Sequence, residues 1–202
     1  MKYLKQELEP SGIDYATPLT RIEGGFETQI YRFKLRGVEE QLSRPLILRL
    51  YPSFRGTNDA VWESVVHNAL AEGGYPVPRV YFTCTDMSVL GGAFCIMDFI
   101  EGENMLAALL EKFPVMLGET HASLHDIDPG PLVKTFKKKG FEENRYRLSG
   151  KINWIRNETE KSFPWLREGV NWILENRPLN RNALPYVMGT FTLSIFWSRM
   201  EK

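Results

Sequence analysis

One cation set inside an apolar strand constrains this chain more than any other feature. Leu46-Ile47-Leu48-Arg49-Leu50 is β-prone throughout, and an arginine buried there without a partner would be costly. Residues 58–72 follow as a helix and carry Glu63, whose carboxylate would offset that cost through a bidentate pair. The plainer alternative is an edge-strand arginine pointing at water.

The same grammar runs on both sides of this pair. Residues 17–35 read as strand, Gly-Gly turn, strand, with Ile30 to Leu35 alternating at period two. Pro45 leads into the arginine strand and Pro52 ends it. Between 58 and 72 the apolar residues Val61, Trp62, Val65, Val66, Ala69 and Leu70 form one helical stripe. Thr57 or Asn58 can cap its start, and Gly73-Gly74 its end. Glu63 then falls roughly 110° from the centre of the stripe, on its flank. Residues 80–85 and 93–99 read as two more strands joined at Gly91-Gly92, making five strands and one helix before residue 100.

Farther along, the spacing predicts helices at 104–112 and 114–125, a basic, loop-rich insertion at 129–147, and one or two helices at 152–176. The last are anchored by Trp154, Ile155, Trp165, Leu166, Trp172 and Ile173. Residues 179–202 have no clear period.

With 202 residues, 43% of them hydrophobic, the chain can build one large domain or two small lobes. Net charge is zero, yet residues 1–130 carry 11 basic against 18 acidic side chains and residues 131–202 carry 14 against 7, so the halves should attract. Cys84 and Cys95 are the only cysteines; they form no C-x-x-C and read as small core residues in a reducing, cytoplasmic setting. The charged start lacks the apolar core of a signal peptide. Residues 183–197 are too short and too interrupted to span a bilayer, which takes about 20 apolar residues, so no membrane association is expected.

Several motifs allow two readings. Gly24-Gly25 is a hairpin turn, but small residues there, with Thr28, would also let backbone N–H groups close over phosphate oxygens. Asp98, Phe99 and Ile100 before Gly102 form an ordinary strand end, or a crossing segment whose backbone meets an adenine ring. His121 and His125 have the i, i+4 spacing of metal ligands, but Ala122 stands where an H-E-x-x-H site has its glutamate, so no metal is expected. His125 is expected instead to bond backbone, Asp126 or Asp128 at the helix end. Lys137-Lys138-Lys139, a glycine-bounded loop without interleaved aromatics, reads as solvated surface, and nucleic acid is not an expected partner.

Taken in order, these residues resemble the aminoglycoside phosphotransferase family, small-molecule kinases with the bilobal protein-kinase-like fold. The resemblance rests on G-G-F-E-T-Q-I-Y-R-F, L-I-L-R-L, W-E-S-V-V followed by Y-P-V-P, F-C-I-M-D-F-I-E-G and L-G-E-T-H-A-S-L-H-D-I-D. It covers residues 19–128 well and 154–178 loosely. It implies an α+β fold: a five-stranded antiparallel N-lobe sheet with one helix over residues 1–100, an incomplete helical C-lobe over 101–178, and an atypical tail over 179–202. It also implies ATP with magnesium as cofactor and a small-molecule hydroxyl as phosphate acceptor. Gly24, Gly25 and Thr28 become the flap over the phosphates, Arg49 the strand cation and Glu63 its helix partner. The carbonyl of Asp98 and the amide of Ile100 meet the adenine.

Family members continue with H-G-D-x-x-x-x-N and a metal-binding Asp, whereas here Leu179-Asn180-Arg181-Asn182 follows and the last Asp is Asp128. The catalytic base and both magnesium ligands have no counterpart, so the chain is expected to be a truncation, a frameshifted product or an incomplete sequence, and inactive as it stands. Two rivals remain open. One is a protein-interaction module that uses the apolar tail, with Phe191, Ile195, Phe196 and Trp197, for partner contact or self-association. The other is a nucleic-acid binder led by the basic half.

Overall fold

The structure, a computed structural model, describes residues 1–8, 12–22, 28–101 and 113–176. These divide into two compact units, 1–101 and 113–176. The turn holding Gly24 and Gly25, the helix expected at 104–112 and the tail at 179–202 lie outside the described residues.

The first unit is a five-stranded sheet with order β1-β2-β3-β5-β4 and every neighbouring pair antiparallel. Its strands are β1 (Asp14–Ile22), β2 (Gln29–Arg36), β3 (Pro45–Leu50), β4 (Val80–Cys84) and β5 (Phe94–Asp98). β1 carries Pro18, which has no N–H to donate, and it lies at the sheet edge with shifted register and mostly exposed side chains. β5, paired on both sides, is buried along four of its five residues.

Each face of the sheet is covered by a helix. Phe33, Leu35, Leu46, Leu48, Phe94 and Ile96 form one cluster with Leu4, Ile13 and Cys84. Onto it packs α1 (Lys2–Leu8), with the Tyr3 ring edge-on to Phe94 at 5.0 Å. The sequence reading missed α1: seven residues are too few to be helical by propensity, and packing of Leu4 and Tyr3 holds it. The opposite face belongs to α2 (Asn58–Glu72), over Tyr51, Ala60, Val80, Ala93, Cys95 and Met97.

α2 has the expected bounds but not the expected orientation. Its buried residues are Ala60, Glu63, Ser64, Val66, His67 and Leu70, while Val61, Trp62, Val65 and Ala69 are only half-buried. The inward polar groups have partners: Ser64 Oγ lies 2.5 Å from Thr83 Oγ1 and donates to the Ala60 carbonyl, and Asn68 bonds both the N–H and the C=O of Val80. Glu63 therefore sits within the packed face rather than on its flank. Of the two expected caps, Thr57 does not serve: it holds helical dihedrals (φ −89, ψ −23) and makes no side-chain cap bond, because capping needs the extended backbone that aims the hydroxyl at the first turn.

The second unit is helical: α3 (Phe113–His125), α4 (Gly130–Lys138), α5 (Glu143–Tyr146), α6 (Leu148–Ser162) and α7 (Arg167–Glu175). Residues 129–147 are thus not a loop-rich insertion. Pro131 starts α4 where no N–H is needed, and Leu132 and Phe136, one turn apart, are buried, with Phe136 against Phe141 and Tyr146 at 5.7 and 5.1 Å. Lys137 and Lys138 belong to the last turn of α4, where cations meet the carbonyl end. The expected anchors of 152–176 are corrected too. Trp154, Trp165 and Trp172 are 55%, 76% and 64% exposed, and Ile152, Thr159 and Val170 are the buried positions. No described helix is long and apolar enough to cross a membrane.

Candidate functional site

β3 and α2 bring the two charges together. Arg49 is carried on the α2-facing side of β3, in register with Ile30 on β2 and Cys95 on β5. Glu63 reaches it from the second turn of α2, with Arg49 Nη1 3.2 Å from Glu63 Oε2 and side chains 20% and 11% exposed. The edge-strand alternative is excluded, since β3 has a neighbour on either side. The pair is not the bidentate fork expected from sequence. The same Oε2 also accepts a hydrogen bond from the Tyr51 hydroxyl, and Arg49 Nε is buried with no hydrogen-bond partner among the described residues.

Tyr51 is the member of this cluster that sequence reading overlooked. It is 1% exposed, and its ring lies 5.5 Å from the Arg49 guanidinium. Burial, then the nearby Glu63 carboxylate, raises its pKa, so it remains a hydrogen-bond donor. A signal was available, because residues i and i+2 of an extended segment share a face and Tyr51 is two beyond Arg49. One turn past Glu63, His67 is buried with Nδ1 3.2 Å from the Pro78 carbonyl, an arrangement that needs the proton on Nδ1. Burial pushes its pKa down to about 4, against the upward pull of that bond.

The remaining expected residues are distributed as follows. Thr28 is buried and directly precedes Gln29, which faces Leu50 in the register, so it lies beside the end of β3. Asp98 ends β5, where its carboxylate accepts from the Arg79 N–H and the Tyr81 hydroxyl at 2.9 and 2.8 Å. These bonds fasten β4 to β5, as does the Asp98 N–H, which donates to the Arg79 carbonyl at 3.0 Å. Ile100 follows, half-buried. Arg32, not singled out from sequence, pairs in register with Ile47 and lays its guanidinium 4.1 Å from the Phe99 ring centre. It stands one row from Arg49, about 7 Å along the strands.

Among the described residues, no group of three or more His, Cys, Asp or Glu could hold a metal ion. His125 is exposed, and the Asp128 carboxylate accepts from the Gly130 N–H at 2.9 Å. Lys137 is paired with Glu143 at 3.2 Å.

The profile of the phosphotransferase enzyme family matches residues 18–187. Among curated proteins, the chain is 23% identical over 190 residues to human acyl-CoA dehydrogenase family member 11, covering 88% of this chain and 22% of that protein. The chicken (Gallus gallus) protein of the same name is 28% identical over 138 residues, 63% of this chain and 17% of its own. The chain therefore spans about a fifth of the length of these curated relatives. Among solved structures it resembles a putative aminoglycoside phosphotransferase from Ralstonia eutropha JMP134, with TM-score 0.57, 18% identity, and 91% of this chain against 54% of that one. It also resembles the ethanolamine kinase of Plasmodium vivax, with TM-score 0.52, 15% identity, and 86% against 51%. These likenesses fix the fold as α+β with kinase-like neighbours. With more than four-fifths of its length matched by the profile, the chain belongs to the phosphotransferase enzyme family.

Proposed function

We propose that the first unit binds ATP, with the phosphates at Arg49 and the adenine against the backbone of Asp98 to Ile100, as the nucleotide half of a small-molecule hydroxyl kinase. The observation that carries this reading is a partly buried guanidinium whose carboxylate partner engages it through one oxygen, with Nε left over. A guanidinium has donors only, and phosphate oxygens are their natural acceptors. Among the described residues, no group of three or more His, Cys, Asp or Glu is gathered that could hold magnesium by itself. No Asp follows Asp128 in these 202 residues, so the base and metal ligands of phosphoryl transfer have no counterpart in them. By itself the chain would hold nucleotide and transfer nothing.

The test is thermal. ATP at tenfold its Kd should add about 1.4 kcal/mol and raise Tm by roughly 3–6 °C for a chain of this size, and Arg49→Ala should remove the shift. No shift at millimolar ATP would favour the second reading, a non-catalytic protein-interaction module. That reading draws support from the exposure of Trp165 and Trp172, and it expects a mass in solution that grows with concentration.

A further inference from the structure

Arg49 and Tyr51 compete for one carboxylate oxygen. Both reach Glu63 Oε2, the arginine through Nη1 at 3.2 Å and the tyrosine through its hydroxyl. A carboxylate turned squarely to a guanidinium would present both oxygens to the Nε/Nη edge. Here it does not, and Arg49 Nε lies buried without a partner among the described residues. Such a donor is normally satisfied.

Resting on the nucleotide reading above, we propose that Tyr51 is a positioning residue of the phosphate site: by holding Glu63 at Oε2 it stops the carboxylate from closing on Arg49, and so keeps the unpaired N–H donors of the guanidinium for phosphate oxygens.

The backbone is built to fix this phenol. Tyr51 N–H donates to the Ala93 carbonyl at 2.9 Å, tying the residue to the sheet just past the end of β3. Pro52, next in the chain, fixes its own φ and restricts the tyrosine to extended backbone. Gly92 is required opposite, because a Cβ there would collide with the Tyr51 carbonyl. The ring packs with Ala60, Val80, Ala93, Cys95 and Met97. A residue wanted only for packing could be phenylalanine. The hydroxyl is the part that needs an explanation, and its one acceptor is the carboxylate that pairs with Arg49.

Tyr51→Phe isolates that hydroxyl. Titration calorimetry on the full chain should show ATP and inorganic tripolyphosphate binding roughly tenfold or more weakly in the variant, with adenosine within about twofold of wild type, since a hydrogen bond to a charged group is worth about that ratio. Equal ATP affinity in the two proteins overturns the role of Tyr51 and leaves the nucleotide reading standing. Equal loss for adenosine and ATP marks a packing role and also overturns it. Failure of the wild type to bind either ATP or tripolyphosphate sinks the nucleotide reading, and this inference with it. Should the variant not fold, the wild type decides: the Arg49 ¹⁵Nε resonance, assigned by its loss in Arg49→Lys, must move on titration with tripolyphosphate. An unmoved signal overturns the proposal.

Discussion

The two units solve opposite problems at their surfaces. In the first, α2 turns charged and polar side chains inward, Glu63, Ser64 and His67 all being buried. In the second, α6, α7 and the turn between them hold large apolar side chains outward, among them Trp154, Trp165 and Trp172. The difference teaches that burial here follows available partners more closely than hydropathy. Ser64 finds Thr83, Glu63 finds Tyr51 and Arg49, and His67 finds the Pro78 carbonyl. An indole that finds no apolar surface to cover it stays largely in solvent, as Trp154 does with only Lys151 Nζ over its ring at 4.2 Å.

This contrast can be broken by substitution. The largest effect is expected where the second unit does have a core: Phe136→Ala, which empties the contacts to Phe141 and Tyr146, should cost about 3–5 kcal/mol in denaturant unfolding. A cost below 1 kcal/mol would mean that this cluster does not hold the helices together.

Acid should discriminate next, through His67. Its folded pKa of about 4 lies below the ordinary 6.5, so between those values the unfolded chain binds the extra proton. Stability from this group is full above pH 6.5 and is lost as pH falls toward 4, by about 3 kcal/mol in all. Exposed carboxylates also titrate in acid, so the measurement is the difference between wild type and His67→Gln across that window. Identical pH profiles would show that His67 is not held neutral in the fold.

The smallest effect belongs to the outward tryptophans. Trp165→Ser and Trp172→Ser should each change stability by less than about 0.5 kcal/mol, as read by thermal melts. A loss of 2 kcal/mol or more would place these rings in a packed interface and dissolve the contrast between the units.

Much of the first unit was legible because its signals are local. Proline and glycine bracket β3 and β5, period-two alternation marks β2, and Gly73-Gly74 stops α2 at the expected residue. The Arg49–Glu63 pair was legible for a reason of cost, since a lone cation in an apolar strand calls for a carboxylate. What stayed hidden was any choice that rests on a partner distant in sequence. Val61 and Trp62 look like the core of α2, and only the presence of Thr83, Val80 and Pro78 opposite makes Ser64, Asn68 and His67 the better fit. Residues 129–147 look like a loop because α4 and α5 are short and α4 is rich in lysine, and Phe136 reveals its role only when Phe141 and Tyr146 close on it.

From sequence alone came the five strands and α2 of the first unit in chain order, the stops that proline and glycine impose on β3 and α2, and the demand that Arg49 have an anionic companion. Chain connectivity, backbone stereochemistry and the cost of an unpaired charge act within a few residues or on one residue at a time. Tertiary structure alone decided which face of α2 points inward, that Tyr51 shares the carboxylate with Arg49, and which edge of the guanidinium is left over. Those depend on Arg49 of β3, Tyr51 just beyond it and Glu63 of α2 meeting within about 3 Å, and hydrogen-bond energies at that range fall away within a fraction of an ångström, a precision that no one-dimensional pattern carries.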